Sequence, residues 1–142
     1  MSVAPFPHRY EVSLADRTIR SAPRDPIAAG APPQFGGDER AWSPEELLVG
    51  AALECLWTTF EAYARRDALA IHGWSGKAVG VLDRGVAGGV PTFTSITLRP
   101  EILVAQGDEA RAEKLIATAE DRCIISRALR VPVTVEATIR AA

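Results

Sequence analysis

Cys55 and Cys123 are the only two thiols in this chain, and each sits beside a helical pattern. A thiolate is both nucleophile and reductant, so two thiols brought together by folding make a reversible dithiol/disulfide couple. Taken singly, each reads equally well as a small buried hydrophobe. The carboxylate of neighbouring Glu54 opposes a thiolate at Cys55, so a cation has to reach that side chain from elsewhere in the fold if it is to react. The N-terminal arginines Arg17, Arg20 and Arg24 can supply one. Arg17, at an expected turn, is the choice, although each of the three also suits a solvated strand or loop. Glu45 is the remaining candidate. An acid in the first turn of a helix is stabilised by the dipole, but Glu46 already occupies the capping position, which frees the Glu45 carboxylate for another partner. Two distant cysteines with His8 and His72 form no metal-ligand spacing, and neither a metal nor a bound cofactor is expected.

The elements that position these groups follow from patterning. Residues 8–22 read as extended, with Tyr10, Val12 and Leu14 alternating with polar neighbours and a turn at Ala15-Asp16. A short strand is expected around Ile27, followed by an ordered Pro- and Gly-rich loop to residue 41. Ser43, Pro44 and Glu46 then open a helix as N-cap, first helical residue and capping-box acid. Its apolar face, Leu47, Leu48, Ala51, Ala52, Cys55, Leu56, Thr59, Phe60 and Tyr63, is expected to run to about Ala70, roughly 40 Å. Trp74–Asp83 and Thr92–Leu98 read as two strands joined by a hairpin loop over Gly85–Pro91, with the second staying extended past Pro100 through Ile102 and Val104. Asp108 is expected to cap a second helix over Ala110–Asp121. A helical turn over Ser126–Leu129 and a last strand, Val131–Ile139, complete a single α+β domain over residues 1–142, with a mostly antiparallel sheet and a long central helix.

A helix of that length finds too little cover in one small domain, so an intertwined homodimer is expected. Glu45 and Cys55 lie about 15 Å apart along a straight helix and cannot meet within it. Gly50 lies between them, followed by Ala51 and Ala52. Two copies of the helix crossing there at a two-fold axis would bring Glu45 of one chain to Cys55 of the other. Composition bounds the rest. In 142 residues, 47% are hydrophobic and 24% charged, with a net charge of -2, as in a globular protein with neither a nucleic-acid surface nor a membrane anchor. No signal-peptide pattern or membrane-length apolar run is visible, so a cytoplasmic location is expected. There, paired cysteines are more often redox-active than structural.

From Pro32 to Ile139 the sequence resembles the osmotically inducible protein C (OsmC) and organic hydroperoxide resistance family. The likeness rests on Pro33-Gln34-Phe35-Gly36-Gly37, on Trp42-Ser43-Pro44-Glu45-Glu46-Leu47-Leu48 with Cys55 ten residues beyond Glu45, and on Arg122-Cys123-Ile124-Ile125-Ser126-Arg127-Ala128-Leu129. The resemblance implies a thiol peroxidase for organic hydroperoxides. Cys55 would be the peroxidatic thiolate, oxidised to a sulfenic acid. Cys123 would resolve it as an intramolecular disulfide, and an external dithiol, a lipoylated protein in the hydroperoxide-resistance branch, would reduce that disulfide. Glu45 and an arginine, Arg17 here, would polarise thiolate and peroxide. Leu56, Trp57 and Phe60 would give an apolar pocket suited to bulky substrates. The alternatives are a non-catalytic dimer that binds a small lipophilic ligand in the interfacial pocket, and a redox sensor. The chain departs from the common family pattern at Ile124, where many relatives carry proline, at Glu54, where a small residue is usual, and in lacking a glycine-rich hairpin around the arginine.

Overall fold

The computed structural model describes residues 3–84 and 89–142 and divides into two compact units, Met1–Leu47 and Leu48–Ala142. The first unit holds a three-stranded antiparallel sheet, β1 (Ser13–Ala15), β2 (Thr18–Arg20) and β3 (Ile27–Ala28), in that order. Extended structure was expected from residue 8, but the ladder begins only at Ser13. The turn also falls one residue later than the sequence suggested. Asp16 and Arg17 both take positive φ, 51° and 56°, the geometry whose twist matches a two-residue hairpin. A single 3-10 turn, Pro33–Phe35, occupies the Pro- and Gly-rich loop and closes on Gly36 at φ 79°.

Helix α1 (Pro44–Arg66) begins as the sequence dictates. The Glu46 N–H donates to Ser43 Oγ at 3.1 Å, while the Ser43 hydroxyl and N–H donate to Glu46 Oε1 at 2.9 and 3.4 Å. The helix stops four residues short of the expected Ala70, at 23 residues. Ala68 takes a left-handed φ of 53°, with its N–H on Arg65 O and that of Leu69 on Ala64 O. These two reversed bonds satisfy the last carbonyls and terminate the helix. Glycine usually marks this position, which is why the sequence concealed the stop.

In the second unit, β4 (Ile71–Arg84) and β5 (Pro91–Val104) form a long antiparallel pair. Most of the expected hairpin loop, residues 85–88, lies outside the described residues. Strand β5 does continue through Pro100 to Val104. Two helices follow, α2 (Glu109–Arg122) and α3 (Ile124–Ala128), and then β6 (Val133–Val135) and β7 (Thr138–Ala141), both parallel to β5. The sheet is therefore mixed: its long β4–β5 pair is antiparallel, while the helical crossover returns the chain in the direction in which it left and adds two short parallel strands. The expected last strand is also split. Its ladder lapses between Val135 and Thr138, opposite Arg99 and Pro100, where proline has no N–H to give.

Alternate residues of β5, Ile96, Leu98, Ile102 and Val104, are fully buried. They share one core with Ala52, Leu56, Phe60 and Ala64 of α1 and with Ala112, Leu115, Ile116 and Ala119 of α2. Helix α1 presses close to β4: a Cβ on Gly80 would sit 2.5 Å from Val49 Cγ2, so only glycine fits without repacking. Arg111 ties the helices together, its guanidinium donating to Asp67 O at the end of α1 and to Asp108 Oδ1, both at 2.8 Å. Asp108 is thus the N-cap residue of α2 by position but does not cap it with its side chain. Among the described residues no helix is long and apolar enough to cross a membrane.

Candidate functional site: two thiols between helices

Cys55 lies in the middle of α1, half-buried beside the core stripe rather than within it, and Glu54 next to it is exposed. Cys123 is the one extended residue between α2 and α3, at φ -64° and ψ 113°, and is 1% exposed. Its N–H donates to Glu120 O at 3.5 Å, and its carbonyl accepts from the Arg127 N–H at 3.1 Å. The thiol is therefore carried on a backbone pinned from both sides. The structure places the two sulfurs near one another: both cysteines are free, and Cys55 is close enough to bear on the ionisation of Cys123.

The Cys123 thiol is pushed above its ordinary value of 9.0. Burial is the main cause. The hydroxyl and N–H of Ser126 oppose it, and the adjacent Cys55 adds to it by hydrogen bonding and by charge. A thiolate on Cys55 thus makes Cys123 harder to ionise. Burial thus favours the thiol form of Cys123.

Two hydroxyls near the sulfurs were not singled out from sequence. Thr59 Oγ1 lies 3.9 Å from Cys55 Sγ, and Ser126 lies three residues beyond Cys123 at the start of α3. The signal was spacing: i+4 on a helix, and i+3 from a residue in the N-cap position.

Glu45 and Arg17 belong to the first unit. Glu45 Oε2 is buried with no hydrogen-bond partner among the described residues, an unmet acceptor of the kind that calls for a donor. The Arg17 side chain is exposed at the β1–β2 turn and lines a cavity of about 660 Å³ with Leu14, Ile19, Trp42, Pro44 and Leu47. Of the other two arginines, Arg20 donates to Ala15 O at 3.4 Å, and Arg24 is exposed. The apolar pocket expected around Cys55 needs correction. Leu56 and Phe60 are completely buried core residues. Trp57 is half-buried, 4.7 Å from the Trp74 ring. Gly50 is exposed, and a Cβ there would meet nothing within 4 Å.

The model of the OsmC-like protein family matches residues 36–138, a span that holds both cysteines and Glu45. The chain belongs to the OsmC-like family. An uncharacterised Bacillus subtilis protein, YmaD, is 32% identical over 115 residues, 77% of this chain and 75% of that one. Among solved structures, an OsmC-like protein from Mycoplasma pneumoniae superposes with a TM-score of 0.77 at 18% identity, covering 93% of this chain and 97% of its own. An organic hydroperoxide resistance protein OsmC from Legionella pneumophila gives a TM-score of 0.69 at 20% identity over 94% and 98%. At those identities the two solved structures establish the OsmC-like α+β fold.

Proposed function

We propose that the chain is a thiol-dependent peroxidase for organic hydroperoxides, working as one functional domain and as a homodimer in the cytoplasm. The observation that carries this reading is the pairing of a half-buried Cys55 with a buried, proton-retaining Cys123. The Cys55 thiolate attacks the terminal peroxide oxygen of ROOH. The O–O bond breaks, an S–O bond forms, and the leaving alkoxide takes a proton to give ROH and a Cys55 sulfenic acid. The Cys123 sulfur then attacks the Cys55 sulfur, its proton leaves with the hydroxide as water, and the Cys55–Cys123 disulfide forms. An external dithiol, such as a lipoylated protein, exchanges with that disulfide and restores both thiols.

Glu45 and Arg17 complete the site across the dimer in this proposal. Crossing of two α1 helices at the open Gly50 carries the Glu45 carboxylate, whose Oε2 has no partner among the described residues, toward Cys55 of the partner subunit. Arg17 then supplies the cation that stabilises the thiolate and the charge developing on the leaving oxygen. The cavity beside Arg17, apolar along Leu14, Ile19, Trp42 and Leu47, suits the organic arm of a bulky hydroperoxide. The same cavity supports the second reading, a non-catalytic dimer that holds a small lipophilic ligand.

Peroxide consumption by wild type, Cys55→Ser and Cys123→Ser separates the two. The assay uses cumene hydroperoxide and hydrogen peroxide, with dihydrolipoamide or dithiothreitol as reductant. The peroxidase reading expects faster turnover of the organic substrate and none in Cys55→Ser. Inactivity of all three proteins, with both thiols reduced, favours the ligand-binding reading.

A further inference from the structure

Helical threonines ordinarily spend their hydroxyl on the backbone one turn back, and two in this chain do. The Thr58 hydroxyl donates to Cys55 O at 3.2 Å, and the Thr118 hydroxyl donates to Lys114 O at 3.0 Å. Thr59 does not. Its Oγ1 has one hydrogen-bonding neighbour among the described residues, Cys55 Sγ at 3.9 Å. Thr59 is half-buried on the same flank of α1 as Cys55, beside the fully buried Leu56 and Phe60. Water therefore competes only partly for this hydroxyl. A threonine hydroxyl can accept from a thiol or rotate and donate to a thiolate, so the contact survives ionisation with its direction reversed.

We propose that Thr59 is a catalytic residue whose hydroxyl donates to the sulfur of Cys55 when that sulfur is charged. The bond favours the thiolate over the thiol and tightens from its resting length as charge builds. After peroxide attack the same hydroxyl holds the S–OH group of the sulfenic acid. That keeps the sulfur turned toward Cys123, whose backbone is pinned between α2 and α3. Ser126 serves Cys123 in the same way but weakly, since burial outweighs its help and leaves Cys123 protonated. Burial separates the two sulfurs: Cys123 is 1% exposed and held toward the thiol, whereas Cys55 is half-buried with the Thr59 hydroxyl beside it. The contribution to turnover rests on the peroxidase reading; the contact with sulfur does not.

The test is the pH profile of Cys55 alkylation by iodoacetamide in a Cys123→Ser background, with Thr59, Thr59→Val or Thr59→Ser. Valine keeps the shape of threonine and removes the hydroxyl. The midpoint is expected to rise by roughly half to one pH unit in Thr59→Val and to return in Thr59→Ser. With Cys123 restored, kcat/KM for cumene hydroperoxide is expected to fall about three- to tenfold in Thr59→Val and to recover in Thr59→Ser. Circular dichroism and thermal melting confirm that each variant folds; if valine perturbs α1, Thr59→Ala supplies the same comparison. An unmoved midpoint in a folded hydroxyl-free variant overturns the assignment. A moved midpoint in a protein that consumes no peroxide upholds the Thr59 contact and removes the peroxidase reading instead.

Discussion

Glu45 and Glu46 are adjacent and share the first turn of α1, but the proposed function gives them opposite tasks, so their loss should leave opposite signatures. Glu46 and Ser43 exchange hydrogen bonds at 2.9–3.4 Å around a serine that is 0% exposed. Ser43→Ala removes the hydroxyl from two of those three bonds and keeps only the backbone N–H on Glu46 Oε1. Losing such a cap costs about 1–2 kcal/mol, and for a chain of this length the melting temperature should fall by about 3–6 °C. Glu45→Gln differs. It gives up a dipole interaction of about 0.3–1 kcal/mol but also relieves a carboxylate whose Oε2 is buried without a partner among the described residues. The two effects nearly cancel, leaving the folded chain within about 0.5 kcal/mol of wild type. Peroxide turnover should show the reverse order. Ser43→Ala should keep most of its rate well below its melting point, whereas Glu45→Gln should lose at least about tenfold, on the scale expected for a group that steadies charge in the transition state. Thermal unfolding and cumene hydroperoxide consumption on the same preparations give both axes. A Glu45→Gln protein as unstable as Ser43→Ala but fully active would show that the functions of the two acids have been assigned the wrong way round.

Two further outcomes follow from the same physics. Ala68→Gly, at φ 53° in the turn that ends α1, should stabilise the protein by about 0.5–1 kcal/mol, because relief of the left-handed strain exceeds the entropy cost of glycine; chemical denaturation checks this. Stability of the reduced protein should decline as pH rises above about 9, since the unfolded Cys123 releases its proton before the folded one, whose value is raised chiefly by burial. Denaturation midpoints between about pH 7 and pH 10 should show that slope in wild type and not in Cys123→Ser.

The sequence was most informative where local chemistry decides structure. The Ser43-Pro44-Glu46 start of α1 and the continuation of β5 past Pro100 to Val104 were readable from residue types alone, and the structure reproduces both. It misled where a rule is obeyed by an unusual residue. Ala68 closes the helix in place of glycine, and Asp108 turns to Arg111 instead of capping α2. The parallel return of β6 and β7 was hidden because strand direction depends on where the crossover helices land, which residue patterning does not encode. At the site, the family resemblance supplied the pairing of Cys55 with Cys123, and the fold places the two thiols near enough for one to bear on the ionisation of the other. Leu56 and Phe60 were misread as pocket residues because helix periodicity marks an apolar face without saying whether protein or ligand covers it. Thr59 was counted as part of that face, because spacing along a helix does not say that its hydroxyl turns to sulfur.

The most direct test is peptide mapping by mass spectrometry of the reduced protein after one equivalent of cumene hydroperoxide, with no reductant present. The thiol-peroxidase account predicts loss of two hydrogens per chain, a single cross-linked peptide joining Cys55 to Cys123, and a trapped sulfenic acid on Cys55 in Cys123→Ser. Recovery of both cysteines as free thiols with the hydroperoxide unconsumed would contradict it.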